Sequence, residues 1–370
     1  MKIMLAGDVM LGRGIDQALP HPCSPELFER YVNSALTYVE LAERKCGPIA
    51  RPLAFDYVWG DALKILASAK PAIRIINLET AVTRRGSPEP KGIHYRMAPD
   101  HVPCLTAAET DCCVLANNHV LDWGEQGLRD TLDALDAAGI ARAGAGRDAA
   151  QATAPAALRR SVRRRLLVYA VGHSSSGVSN HWAAGKNQPG VALLRDFTEA
   201  TVRTIAIRIR RDRRPGDLIV LSVHWGPNWG YDIDAERQLA HRLIDTGTID
   251  LLHGHSSHHP KGIERYRGKL ILYGCGDLLN DYEGIGGYEE FRPELALIYL
   301  PHLAAGGACT VLDLLPFRIA RFRLKSASKS DAQWIANKLV ERSPAGLKID
   351  LVDAPFGQTG VTALSVTFPD

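Results

Sequence analysis

The apolar residues of this chain fall into short continuous runs, and each run stops at polar residues. Residues 2–6 lead into Gly7-Asp8, residues 72–76 into Asn77-Leu78-Glu79, and residues 112–116 into Asn117-Asn118-His119. Residues 166–171 lead into Gly172-His173, residues 218–223 into His224-Trp225-Gly226, and residues 249–252 into His253-Gly254-His255. A further run, 270–273, precedes Gly274-Cys275-Gly276-Asp277. Runs this long and this rich in Val, Ile and Leu predict strands buried on both faces. Helical spacing separates them. Leu128, Leu132 and Leu135 predict a helix over 124–138 that stops at Gly139, and Leu239, Leu243 and Ile244 predict one over 235–245 that stops before Gly247. Strands alternating with helices predict an α/β layered fold, whose ligands sit outside the carboxyl ends of the strands.

Elsewhere the pattern is weaker. Residues 20–56 are expected to form helical cover over the sheet. Residues 172–190, rich in Ser, Asn, Gly and Trp, read as a long loop near the site, because loops of that length are commonly functional. The tail predicts a strand over 316–324, a helix over 330–341 with Ser330 as its N-cap and Asp331 in its first turn, and a last strand over 361–368. The expected organisation is a catalytic domain over 1–300 and a strand–helix–strand extension over 301–370 packed on the same domain.

Composition narrows the function classes. The 370 residues are 46% hydrophobic and 23% charged, as in an ordinary globular protein. A formal net charge of +3 gives no reason to expect a nucleic-acid partner. The basic runs 159–165 and 208–214 read as solvated faces. The seven cysteines contain no C-x-x-C pair, and Cys104, Cys112, Cys113, Cys275 and Cys309 sit among apolar or small neighbours, as in a reducing compartment. Nothing before Lys2 resembles a secretory leader, and no apolar run approaches the ~20 residues of a bilayer span. The expectation is a cytoplasmic protein without a membrane anchor.

The strand ends supply Asp8, Glu79, Asn118, His224, His255 and His258. Each has an ordinary role when taken singly: a helix cap, a surface carboxylate, a turn residue, a core imidazole. Together they are carboxylates, an amide oxygen and imidazoles with no thiolate, a set that suits Mn, Fe or Zn. Imidazoles crowded into Gly254-His255-Ser256-Ser257-His258-His259 repel one another when charged, unless a metal or an anion holds them. One or two divalent ions fit this number of ligands, and a pair polarises a phosphoryl oxygen and supplies a nucleophile near neutral pH. His119 is placed to act as a general acid. His253 and His259 neighbour the cluster. His21, His94, His101, His241 and His302 read as structural.

These motifs resemble the family named after the capsule-synthesis protein CapA, within the calcineurin-like metallophosphoesterase superfamily. The similar segments are Gly7-Asp8-Val9-Met10-Leu11-Gly12-Arg13, Asn77-Leu78-Glu79, Tyr95-Arg96-Met97-Ala98-Pro99, Asn117-Asn118-His119 with Asp122, Val223-His224-Trp225-Gly226, and Gly254-His255-x-x-His258 followed by Gly262-Ile263-Glu264. The resemblance covers roughly residues 2–282. It implies a four-layer α/β/β/α sandwich with a di-metal centre, in which Asp8, Glu79, Asn118, His224, His255 and His258 hold metal and Asp8 and His119 are catalytic. It implies a small anionic substrate bound by Arg13, Arg96, Asn77 and Trp225, with Trp225, Trp229 and Tyr231 along the pocket rim. The chain departs from the superfamily pattern in having Met10 in place of a ligand His and Glu79 in place of a bridging Asp. One ion position is thereby a ligand short. The ion held by Asn118, His224 and His255 is expected to be tight, and the ion depending on Asp8, His258 and Glu79 weak. Asp277, where the family has Asn, is the residue able to make up the lost charge. The resemblance implies a hydrolase of a phosphoester or phosphoanhydride. The alternatives are an enzyme or accessory subunit of poly-γ-glutamate or related amide-bond synthesis, and a non-catalytic binding subunit.

Overall fold

The computed structural model describes residues 1–161, 164–353 and 361–369. Every apolar run forms a strand, and the strands build two sheets. In the first, Ile3–Val9 lies parallel to Ile73–Leu78, which lies parallel to Cys112–Val114, with Ala141–Ala143 beyond. On its other side Leu295–Leu303 pairs antiparallel with Ile3–Val9, and Cys309–Ile319, Thr362–Thr367 and Lys348–Asp353 follow. In the second sheet, Arg164–His173, Leu218–His224, Leu251–His255 and Lys269–Leu272 are all parallel.

Side chains alternate between two buried faces, which explains why the strands read as unbroken apolar runs. Ile3, Leu5, Ile73 and Ile75 of the first sheet meet Leu166, Val168, Leu218 and Val220 of the second in one shared core. Met4, Ala6, Ile76 and Leu78 point the other way, under the helices Leu36–Cys46, Ala62–Ala69 and Gly124–Ala137. Leu167, Tyr169, Ile219 and Leu221 lie under the helices Glu199–Asp212 and Asp234–Asp245. The layers therefore run α/β/β/α, as expected. Truncating a side chain of the shared core, such as Ile75→Ala, removes a fully buried group and costs roughly 2–5 kcal/mol.

The tail differs in detail from its pattern. The helix runs over Lys329–Arg342 and its cap is Ser328, whose hydroxyl accepts from the Asp331 amide; Ser330 lies inside the helix. Ala332, Ile335, Ala336 and Leu339 of this helix enter the core between the sheets. The strand expected over 316–324 is broken: Cys309–Ile319 turns at Arg321 and Phe322, both at φ 58°, and returns as Leu324–Ser326. Periodicity could not reveal a two-residue left-handed turn made without glycine. Between residues 20 and 56 only Leu36–Cys46 is helical. The basic run 208–214 ends the helix Glu199–Asp212, where Arg210 and Arg213 donate to carbonyls of residues 246–248. Of the run 159–165, residues 162 and 163 lie outside the described residues. Among the described residues no helix is long and apolar enough to cross a membrane.

Candidate metal centre

Two glycines bring the first carboxylates together. A Cβ at Gly7 would lie 1.9 Å from the Gly276 carbonyl oxygen, so the two backbones meet as only glycine permits there. The Asp8 amide donates to that same oxygen at 3.1 Å, and Asp8 stands opposite Asp277 in the parallel pairing of Ile3–Val9 with Asp277–Leu279. Asn77, at the end of the next strand, bridges Asp8 Oδ1 at 2.7 Å and Glu79 Oε2 at 3.0 Å with its two amide hydrogens. Asp8, Glu79 and Asp277 are each at most 1% exposed. Among the described residues no lysine or arginine forms an ion pair with any of them. Burial, then Asp277, raises the Asp8 carboxyl to about 7, and burial with Asp8 holds Glu79 well above the usual carboxylate range.

From the second sheet, His224 and His255 are neighbours on parallel strands. Their protonation can be worked out along a chain of hydrogen bonds. The Ala6 carbonyl can only accept, so the His253 Nε2 that lies 3.0 Å from it carries a proton. Burial pushes His253 down to about 4, so the ring is neutral and its Nδ1 accepts. That Nδ1 takes the single proton of the Ser222 hydroxyl at 3.1 Å. Ser222 Oγ then accepts from His255 Nε2 at 2.7 Å, which leaves His255 Nδ1 a bare lone pair. Burial, then His224, keeps His255 neutral as well.

His224 has acceptors on both sides: Nδ1 is 2.7 Å from His255 Nδ1, and Nε2 is 2.9 Å from Asn118 Oδ1. A neutral imidazole has one N–H and can satisfy only one of them. Lone pair then faces lone pair at the other contact, an arrangement that a bound cation relieves. The donor set thus fits a divalent ion. Two overlapping groups have all their ligand atoms within 4.8 Å of one another: Asp8, His224 and His255, and Asp8, His258 and Asp277.

His119 sits at the edge of this cluster. Its Nδ1 pairs with Asp122 Oδ2 at 2.6 Å, and its Nε2 is 3.9 Å from Glu79 Oε1. Asp122 is fully buried; the pull of His119 and Lys91 outweighs burial and keeps it ionised. Lys91 donates to Asp122 Oδ1 at 2.6 Å and also to the Asn118 carbonyl. Burial pushes His119 down to about 4, against the upward pull of Asp122. Lys91 has no signal in the sequence, where it is one charge in the loop Ser87-Pro88-Glu89-Pro90-Lys91-Gly92.

Other expected site residues have different surroundings. Arg13 does not reach the cluster with a free head: its guanidinium is clamped by Asp281 and Glu29 and lies 3.8 Å from the centre of the Tyr38 ring. Arg96 is half-buried over the Trp123 ring and donates to the Ser24 carbonyl. Asn77 braces the two carboxylates and faces no solvent. Trp225 is buried, with its Nε1 donating to the Tyr273 carbonyl, so it is off the rim. Trp229 stacks face to face on Tyr288, centroids 4.0 Å apart, beside His258, while Tyr231 packs on His259. The 172–190 loop reaches the site through Ser176, which donates to the His224 carbonyl, and Ser175, which accepts from the Gly226 amide.

A four-layer sandwich with buried imidazoles and carboxylates converging at its strand ends defines an α/β protein suited to hold divalent cations. The chain belongs to the bacterial capsule synthesis protein family, PGA_cap, whose model matches residues 2–282. Over 357 residues it is 49% identical to a protein of Mycobacterium tuberculosis named "Probable polyglutamine synthesis accessory protein", covering 95% of this chain and 93% of that one. It is 27% identical over 304 residues to "PGA biosynthesis protein CapA" of Bacillus subtilis, covering 81% of this chain and 67% of the relative. Among solved structures it is similar to a 5'-nucleotidase precursor from Thermus thermophilus (TM-score 0.46, 12% identity, 91% of this chain and 59% of that one). A putative 5'-nucleotidase from Staphylococcus aureus is similar at a TM-score of 0.42 and 11% identity, covering 91% of this chain and 58% of that one. The chain therefore spans less than two thirds of either nucleotidase.

Proposed function

We propose that this protein is a metal-dependent hydrolase of a phosphoester or phosphoanhydride in a small anionic substrate. The observation that carries the reading is His119, held by Asp122 at 2.6 Å on one nitrogen while the other faces the Glu79 carboxylate at 3.9 Å, at the edge of a cation-ready cluster. Asp8, Glu79, Asn118, His224, His255 and His258 would hold one or two divalent ions of Mn, Fe or Zn. When bound, such ions polarise a phosphoryl oxygen and make a nucleophile available near neutral pH. Asp8 is both ligand and catalytic residue in this reading. Asn77 keeps Asp8 and Glu79 in register, and the Ser222–His253 relay keeps His255 Nδ1 unprotonated. With Nδ1–H donated to Asp122, His119 Nε2 would accept the proton given up by the attacking water and return it to the leaving oxygen. Trp229 and Tyr288 wall the approach beside His258.

A second reading, a role in poly-γ-glutamate or related amide-bond synthesis, is supported by the names of the relatives. One is called an accessory protein, which makes a protein partner part of that reading. The test begins with elemental analysis of the purified protein, followed by hydrolysis of aryl phosphomonoesters and phosphodiesters with Mn²⁺ added. Stoichiometric metal with turnover, both lost in the double variant His255→Ala/His258→Ala while the circular dichroism is kept, is the expected result. Metal without turnover on any phosphoester would favour the second reading, and full metal in the double variant would overturn the site.

A further inference from the structure

The position that Met10 leaves a ligand short is not short in space. Met10 is fully buried, and its sulfur accepts from the Tyr282 hydroxyl at 3.9 Å. The Tyr282 ring in turn packs edge-on against His258, 5.2 Å between centroids, so Met10 and His258 border the same tyrosine. Asp277 reaches the same corner from another strand. Its Oδ1 is 2.9 Å from His258 Nδ1, and its Oδ2 is held at 2.8 Å by the Asn280 amide. Asp8 completes the group, with ligand atoms of all three residues within 4.8 Å. Glu79 lies alongside, joined to Asp8 through Asn77. Three buried carboxylates with no paired lysine or arginine are unfavourable unless a proton or a cation joins them.

The geometry points to Asp277 as the ligand that replaces the missing imidazole, creating an oxygen-rich second cation position from Asp8, Asp277 and His258 with Glu79 beside it. The first position keeps the nitrogen-rich set of His224, His255 and Asn118. Carboxylate oxygens suit Mn²⁺ and Mg²⁺, and imidazoles suit Zn²⁺ and Fe²⁺. The two positions therefore differ in metal preference, and the protein is built for a mixed pair. This inference rests on the metal-dependent reading above.

The test uses the full chain stripped of metal, loaded with one equivalent of Zn²⁺ and then titrated with Mn²⁺, followed by calorimetry and by the electron paramagnetic resonance of bound Mn²⁺. One Mn²⁺ per chain is expected beside Zn²⁺. Asp277→Asn should weaken that Mn²⁺ at least tenfold and leave Zn²⁺ bound. Adding Met10→His to Asp277→Asn should restore a second ion, now with Zn²⁺ favoured over Mn²⁺. An Asp277→Asn protein that binds the second ion within threefold of the unmodified chain overturns the proposal. So does failure of Met10→His to restore it, which would show that Asp277 only orients His258. A chain that takes up a single ion, lost in His224→Ala, sinks this inference and leaves the hydrolase reading intact. A chain that binds no ion sinks both.

Discussion

Asp8 and Asp277 stand directly opposite each other on adjacent parallel strands, both sealed from solvent, and neither is paired with a lysine or arginine among the described residues. Like charges at this distance oppose ionisation of both, so the ion-free protein stores a proton or an unfavourable charge there. In the proposed metal centre, this pair ties the stability of the metal-free chain to the binding of a cation.

The first consequence is a pH dependence. Folded Asp8 titrates at about 7 and the unfolded carboxyl at 3.8. Between those values the folded chain keeps a proton that the unfolded chain has lost. Asp8 therefore contributes less to stability as pH rises from about 4 to about 7. The buried imidazoles of His224, His253 and His255, whose folded values are lowered, act in the opposite sense. Comparing the stripped chain with Asp8→Asn isolates the carboxyl. The melting temperature of Asp8→Asn should gain on the unmodified chain as pH rises through that window, and saturating Mn²⁺ should reverse the gain. A difference that does not change with pH would refute the assignment.

The relay from Ala6 through His253 and Ser222 sets which nitrogen of His255 is bare. Ser222→Ala removes the hydroxyl that accepts from His255 Nε2 and frees the ring to protonate at Nδ1. The first ion should weaken by about 10–100-fold, the usual effect of losing a partner that orients a ligand. Calorimetric titration with Zn²⁺ reads it directly, and unchanged affinity would show that the relay has no hold on the ligand.

His119→Ala should keep the full metal content. Turnover should fall by ~10²–10⁴-fold on substrates with poor leaving groups and by less on aryl phosphates, which need little help from an acid. Comparing the two substrate types in the loaded enzyme checks this. Loss of metal in the variant would instead place His119 among the ligands.

Arg13 is expected to matter for stability and not for substrate affinity. It neutralises Asp281 and Glu29, whose side chains are 0% and 3% exposed, and Arg13→Met leaves both carboxylates buried without their cation, with only the Gly14 amide and the Tyr95 and Tyr38 hydroxyls donating to them among the described residues. Breaking such a pair costs about 3–5 kcal/mol. Denaturant unfolding of the metal-loaded variant should show that loss with KM unchanged. Wild-type stability with a raised KM would return Arg13 to the substrate.

The sequence alone determined the layers and the strand ends at which the candidate site is proposed. Burial on two faces makes continuous apolar runs, and strand ends are where a chain leaves the sheet with polar side chains. Both are local properties that one sequence displays, so Asp8, Glu79, Asn118, His119, His224, His255 and His258 could be picked out before any geometry was known. The tertiary structure decided what pairing across distant segments decides. Asp277 faces Asp8 because the Gly7 and Gly276 backbones meet across strands far apart in sequence. Arg13 is spent on Asp281, Asn77 on two carboxylates, and Lys91 on Asp122 for the same reason. A side chain's charge is written in its letter, but the partner that uses it is set by which strands lie side by side, and no local pattern carries that information.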